Sequence, residues 1–208
     1  MFYLVRTPWL MRKLYPGLVW RVPAVGGKVV YLSFDDGPHP VATPFVLDEL
    51  KKYDARATFF CIGKNVQKYP HVYRRVLMEG HRVGNHTQDH LDGWKTNDRR
   101  YLENVRDAAR LIDSDLFRPP YGKIGLFQSS LLRGAPFRYK IVMWEVLSAD
   151  FDRRVSPQRC GRNVIRHARP GSIIVFHDSE KAFERMREAL PAVLEHFSGL
   201  GYRFEAIL

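Results

Sequence analysis

From residue 29 onward, short apolar runs alternate with segments whose apolar residues recur every three or four positions, the pattern of parallel βα units. The runs predict strands at 29–34, 56–60, 82–85, 115–118, 139–144, 172–176 and 202–205. Between them, Thr43-Pro44 predicts a helix start reaching Lys52, and Thr96 or Asn97 caps a long helix. Its apolar stripe is Tyr101, Leu102, Val105, Ala108, Ala109 and Ile112. Ser156-Pro157 opens another helix, and Glu180 to Phe197 makes the last. Seven strands alternating with helices imply an α/β fold built on parallel strands.

At 208 residues the chain holds one well-buried core and is short for two domains. With 45% hydrophobic and 26% charged residues it has the composition of an ordinary globular protein. The formal charge of +11 points to anionic surroundings, but the basic residues are scattered. Without a stacked-aromatic RNA motif or a DNA-reading helix, nucleic acid is not the expected partner. A polyanionic glycan is the functional version of the same charge. Cys61 and Cys160 form no CxxC spacing and predict free buried thiols, which favours a reducing compartment.

No apolar run reaches membrane-spanning length, and Met1-Phe2-Tyr3-Leu4-Val5-Arg6 meets charge too early for a signal-peptide core. A cytoplasmic location is therefore expected. Residues 1–28 hold five Lys or Arg and no acid, together with Trp9, Leu10, Met11, Leu14, Tyr15 and Trp20. Thr7-Pro8 is a helix start and Pro16-Gly17 a stop. They read as a basic N-terminal extension packed on the main domain, with weak contact to a membrane surface or an anionic glycan as the alternative.

Candidate chemistry begins at Asp35 and Asp36, adjacent carboxylates where the run Val29-Val30-Tyr31-Leu32 gives way to Gly37-Pro38. Two such charges repel and raise each other's pKa unless a cation holds at least one of them ionised. His86 and His90, four residues apart, and Arg118 are available for that. On the predicted map these residues, Asp150 and His177 all follow strands, on the face where barrel enzymes build their sites. Asp36, His86 and His90 would form a set of two imidazoles and one carboxylate that leaves coordination positions open. Asp35 is then free to act as a general base, held ionised by Arg118, whose following prolines fix the backbone. His177 at the end of its apolar run suits a third metal ligand, a core hydrogen-bonder or a general acid. Asp150 or the adjacent Asp178 could raise its pKa.

These residues resemble the motifs of polysaccharide deacetylases of carbohydrate esterase family 4, the NodB-homology group. Ser33-Phe34-Asp35-Asp36-Gly37 matches T/S-F-D-D-G, His86-Thr87-Gln88-Asp89-His90 matches H-S/T-x-x-H, and Arg118-Pro119-Pro120-Tyr121 matches R-x-P-Y. Asp150-Phe151 and Val175-Phe176-His177 stand where the family has Asp-Trp and L-x-H. The likeness covers residues 29–208 and implies a catalytic domain folded as a distorted (β/α) barrel of about seven parallel strands, related to the TIM barrel.

By that resemblance Asp35 is the base, Asp36, His86 and His90 bind one divalent metal, and His177 is the acid. Zinc suits this donor set, with cobalt or nickel as replacements. Arg118 would orient Asp35, Asp150 would tune His177, and the Tyr121 backbone N–H would help hold the oxyanion. Trp144 and Phe151 would shape the pocket for the acetyl methyl and the sugar. Phe151 for Trp loses an indole N–H, and Val175 for Leu leaves a smaller wall, so substrate preference is where a difference is expected. The implied activity is metal-dependent removal of N-acetyl groups from an amino-sugar glycan. O-acetyl ester hydrolysis on a polysaccharide such as xylan is the enzymatic alternative. A silent glycan-binding barrel is disfavoured because base, ligands and acid are all present.

Overall fold

The computed structural model describes residues 4–23 and 27–208, so Met1–Tyr3 and residues 24–26 of the N-terminal extension lie outside it. Strand β1 (Val29–Asp35) is buried along its whole length. Parallel partners flank it: β2 (Thr58–Cys61) on one side and β7 (Ile173–His177) on the other. Beyond β2 come β3 (Arg82–Asn85), β4 (Leu116–Phe117) and β5 (Lys140–Ile141), and beyond β7 comes β6 (Val146–Leu147). These seven parallel strands curl into a half-barrel, and β8 (Arg203–Phe204) pairs with the start of β1 off that path.

The expectation of one strand over 139–144 needs correction. The stretch from Tyr139 to Leu147 holds two short strands, β5 and β6, at opposite ends of the sheet path. Asp150 thus follows β6, and His177 is the last residue of β7 rather than the first after it. Of the helices, α2 (Ala42–Lys51), α7 (Pro157–His167) and α8 (Glu180–Gly199) start within one residue of their predicted positions. Asn97 caps α5 (Asp98–Ala109) by accepting from the Arg100 N–H at 3.0 Å, and Ser156 does the same for α7. The pattern missed α3 (Gly63–Lys68), α4 (Pro70–Met78) and α6 (Leu126–Arg133).

Strand alternation sorts β1 into two faces. Val30, Leu32 and Phe34 join the core beneath the helices, with Phe34 stacked on Phe59 and Phe176. Val29 and Tyr31 face the barrel interior with Phe60, Leu116 and Val142. Ser33 and Asp35 continue that inner face, so the same period that packs the sheet delivers Asp35 to the interior at the strand's C-terminal end. Both cysteines are free and buried. Among the described residues no helix is long and apolar enough to cross a membrane.

The segment before β1 runs along both edges of the half-barrel. Leu147 donates its N–H to the Val5 carbonyl (2.8 Å), and Arg6 bridges Val146 at the β6 edge. Val19 bridges Val142 beyond β5, and Arg21 bridges Ser172 before β7. Unpaired strand edges are thereby covered. Thr7, Leu18 and Trp20 are buried, but helix α1 (Trp9–Leu14) between them buries no residue.

Candidate active site

The fully buried Arg118 sits at the centre of the inner face, just past β4. Its Nη1 donates to Asp35 Oδ1 at 2.7 Å and to Ser33 Oγ at 2.8 Å. Its Nε and Nη2 donate to the Val142 and Met143 carbonyls, and its Cζ lies 4.0 Å from the Phe60 ring centroid. Burial lowers the guanidinium pKa, opposed by Asp35, and arginine stays charged. A buried ion pair is tolerable when its charge is further hydrogen-bonded, and these carbonyls bring every guanidinium nitrogen into a hydrogen bond.

Asp36 turns away from its neighbour at φ 78° and meets His86 and His90. Its Oδ1 is 3.6 Å from His86 Nε2 and 3.1 Å from His90 Nε2. One ligand atom from each of the three residues lies within 4.8 Å of the others. His86 Nδ1 donates to the Arg118 carbonyl at 2.7 Å, which fixes the tautomer and leaves Nε2 as a lone-pair donor. His90 Nδ1 lies 3.1 Å from the Tyr121 hydroxyl. Asp36 Oδ1 is buried yet receives no well-aligned hydrogen bond, despite those two nitrogens. Three converging donor atoms with an orphaned carboxylate oxygen among them fit a metal cation. Burial works to raise the Asp36 pKa, but the two imidazoles outweigh it and hold the carboxyl well below the usual range.

His177 is gripped twice by the buried Asp150. Oδ1 accepts from its Nδ1 at 2.7 Å, and Oδ2 from its backbone N–H at 2.8 Å. Burial pulls the imidazolium pKa down, but Asp150, followed by Asp36 and Asp35, outweighs it and pushes it up to about 9. Nε2 is the remaining ring nitrogen. Phe151 sets its ring at 70° to that of His177, with centroids 5.3 Å apart.

Asp178, the alternative partner for His177, is committed elsewhere. It accepts from Thr43 Oγ1 at 2.5 Å and from the Gly37 N–H at 3.1 Å. A Cβ on Gly37 would come within 2.1 Å of Asp178 Oδ2, so this close approach explains the glycine after the Asp pair. Burial pushes the Asp178 carboxyl up to about 8.

Backbone geometry adds what residue types did not show. Asp36, Thr87, His90, Tyr121 and Ala149 have φ between 60° and 78°, the left-handed region that non-glycine residues avoid. Each costs on the order of 1 kcal/mol, and such strain concentrates where side chains must be aimed. Tyr121 is half-exposed beside His90, and Trp144 packs against Gly122, where a Cβ would lie 2.6 Å from the indole. A cavity of about 460 Å³ opens beside Asp36 and His90, lined further by His39, Lys64, Asn65, Lys68, Tyr69 and Lys181.

Residues 23–135 match the polysaccharide deacetylase family. The chain is 33% identical over 198 residues to a peptidoglycan-N-acetylglucosamine deacetylase of Bacillus cereus, with 91% of each chain covered. It is 38% identical over 160 residues to a chitooligosaccharide deacetylase of a Bradyrhizobium species, covering 74% of this chain and 72% of that one. A crystal structure of the Bc1960 peptidoglycan N-acetylglucosamine deacetylase superposes with a TM-score of 0.83 at 31% identity, covering 97% of this chain and 95% of the other. The fold and its relatives define a hydrolase of carbon–nitrogen bonds other than peptide bonds. The chain belongs to the polysaccharide deacetylase family, the NodB-like group of carbohydrate esterase family 4.

Proposed function

We propose that this protein hydrolyses N-acetyl groups on an amino-sugar glycan, a chitooligosaccharide, peptidoglycan or a related polymer, and releases acetate. The observation that carries the reading is the pairing of Asp35 with Arg118 and of His177 with Asp150 around the Asp36, His86 and His90 cluster. One carboxylate is held by a cation, and one imidazole is held protonated at neutral pH. Base and acid are thereby separated by environment.

Asp35 takes a proton from the attacking water as the new C–O bond forms, and the acetyl carbon becomes tetrahedral. The Tyr121 backbone N–H donates to the oxyanion. His177 then gives its Nε2 proton to the departing sugar nitrogen, the C–N bond breaks, and acetate and a free amine result. Arg118 holds the Asp35 carboxylate in place throughout, and Asp150 keeps the imidazole aimed and protonated. Trp144 and Phe151 wall the acetyl methyl and sugar face. A divalent cation held by Asp36, His86 and His90, zinc by its two borderline imidazole donors, would supply Lewis-acid polarisation and lower the pKa of water.

The test is acetate release by metal-loaded protein from N-acetylated chitooligosaccharides and peptidoglycan fragments, set beside acetylated xylan. Release from an N-acetylated glycan is the expected result. Release from xylan alone would replace amide by ester chemistry, and release from none would sink the reading.

A further inference from the structure

At the end of the barrel opposite His177, α1 turns four large apolar side chains to solvent. Trp9, Leu10, Met11 and Leu14 are 59%, 54%, 41% and 64% exposed. Arg12 turns toward the barrel, its Nη1 3.6 Å from Oε1 of Glu145, the residue just before β6. At about 100° per residue, Leu10 and Leu14 stand about 160° around the helix from Arg12, so the face centred on them points away from the barrel. Single exposed hydrophobics are ordinary on protein surfaces, but four within six residues form a patch of the kind that marks an interaction site.

We propose that α1 docks this protein on an anionic lipid surface, with Leu10 and Leu14 entering the interfacial layer and Trp9 and Lys13 on its flank meeting headgroups. The charge of the segment selects that occupant. Residues 1–28 carry no acid, their Arg6, Arg12 and Arg21 outnumber the one buried carboxylate, Glu145, that they meet, and Lys13 adds a further cation on α1 itself, on a chain of net charge +11. A second copy pairing through the same face would bring these like charges together. Lys13 Nζ lies 4.7 Å from the Trp9 ring centroid, so an aromatic body and a cation share one side of α1. Such pairs suit the boundary between headgroups and acyl chains. One short helix gives weak, reversible binding, strengthened by anionic lipid and relieved by salt.

The orientation that follows leaves the acid/base face free. Arg21 bridges Ser172 just before β7 begins, whereas His177 ends that strand about 17 Å away. Docking by α1 therefore presents the cleft away from the bilayer.

The experiment uses the full chain with vesicles of phosphatidylcholine alone, and with about one quarter phosphatidylglycerol. Co-sedimentation is expected to rise about tenfold on the anionic vesicles at low salt, with a blue shift of tryptophan emission, and to fall as salt is added. A Leu10→Ser/Leu14→Ser variant should lose about tenfold of that binding. Its circular dichroism and Tm should stay unchanged, since neither leucine is buried. Lys13→Glu should weaken binding with the leucines intact. Equal binding to both vesicle types, undiminished binding by the double variant, or a concentration-dependent dimer that the double variant disperses would overturn the proposal.

Discussion

Two buried carboxylates lie at opposite ends of this barrel, and arginine meets them in opposite ways. Asp35 at the C-terminal face has one partner, Arg118, which is wholly buried and has four further contacts fixing its plane. Glu145 at the other end is equally inaccessible but is approached by three arginines of the N-terminal segment, all partly exposed. Arg21 comes within 2.8 Å, while Arg6 and Arg12 stop at 3.6 Å. A single partner with every guanidinium nitrogen engaged allows one geometry. Several loose partners share a charge without fixing a position, which suits a tether holding the N-terminal segment across the sheet edges.

The contrast is broken most forcefully at Arg118. Arg118→Met leaves Asp35 buried with no cation and should cost about 3–5 kcal/mol of stability, read from urea unfolding. Arg118→Lys keeps the charge but cannot reproduce the fork to Ser33, Val142 and Met143, so it should fold and lose turnover. A Met variant as stable as the parent would mean that this pair is no more a keystone than the one at Glu145.

Next in size is the split between the adjacent aspartates. Asp35→Asn should lower turnover about 10²-fold or more while metal content is retained. Asp36→Asn, His86→Ala and His90→Ala should lower metal occupancy, measured by elemental analysis after purification without chelator. His177→Ala should leave occupancy unchanged. The reverse pattern at Asp35 and Asp36 would exchange their assignments.

Residue types and spacing made most of the polar constellation legible, because most of its members stand at or just after the end of an apolar run. The backbone that aims them was not. Left-handed φ at Asp36, His90 and Tyr121 is imposed by tertiary contacts on residues that carry no glycine signal. The division of Tyr139–Leu147 into two strands was hidden for a related reason. Its residues are mostly apolar, with only Lys140 and Glu145 charged, but the Val142 and Met143 carbonyls serve Arg118, and the Met143 N–H serves Val19. Helix α6 was missed because its first turn lacks a polar N-cap. Gln128 supplies the contact from within, accepting from the Gly125 N–H at 2.9 Å. Even the glycine of the Asp-Asp-Gly triplet acquires its reason only once Asp178, far along the chain, is seen against it.

A smaller effect separates the acid from its tuning residue. If His177 must be protonated, activity falls as pH rises through its folded-state pKa, which stands near 9 chiefly because Asp150 opposes the effect of burial. Asp150→Asn removes that carboxylate, so the alkaline limb should move down by at least about one pH unit with metal content intact. A cation at Asp36 cancels part of the negative field at His177, so the metal-loaded enzyme should show its alkaline limb below 9 even before mutation. A merely structural role for Asp150 would lower the plateau without moving the limb.

The smallest effects belong to the tether and test the comparison from its other side. Arg6 is half-exposed and Arg12 about a quarter exposed, so Arg6→Ala and Arg12→Ala should each cost about 0.5 kcal/mol or less in urea unfolding. Arg21 is closer and also donates to the Pro170 carbonyl, so Arg21→Ala should cost about 1 kcal/mol. The triple variant should exceed the sum of the singles. As long as one arginine remains, Glu145 keeps a nearby cation, but removing the last leaves a fully buried carboxylate whose remaining partner among the described residues is the Ser172 hydroxyl at 2.8 Å. Single losses of several kcal/mol, adding without synergy, would instead make the three arginines as individually indispensable as Arg118, and the distinction between a fixed pair and a shared one would fall.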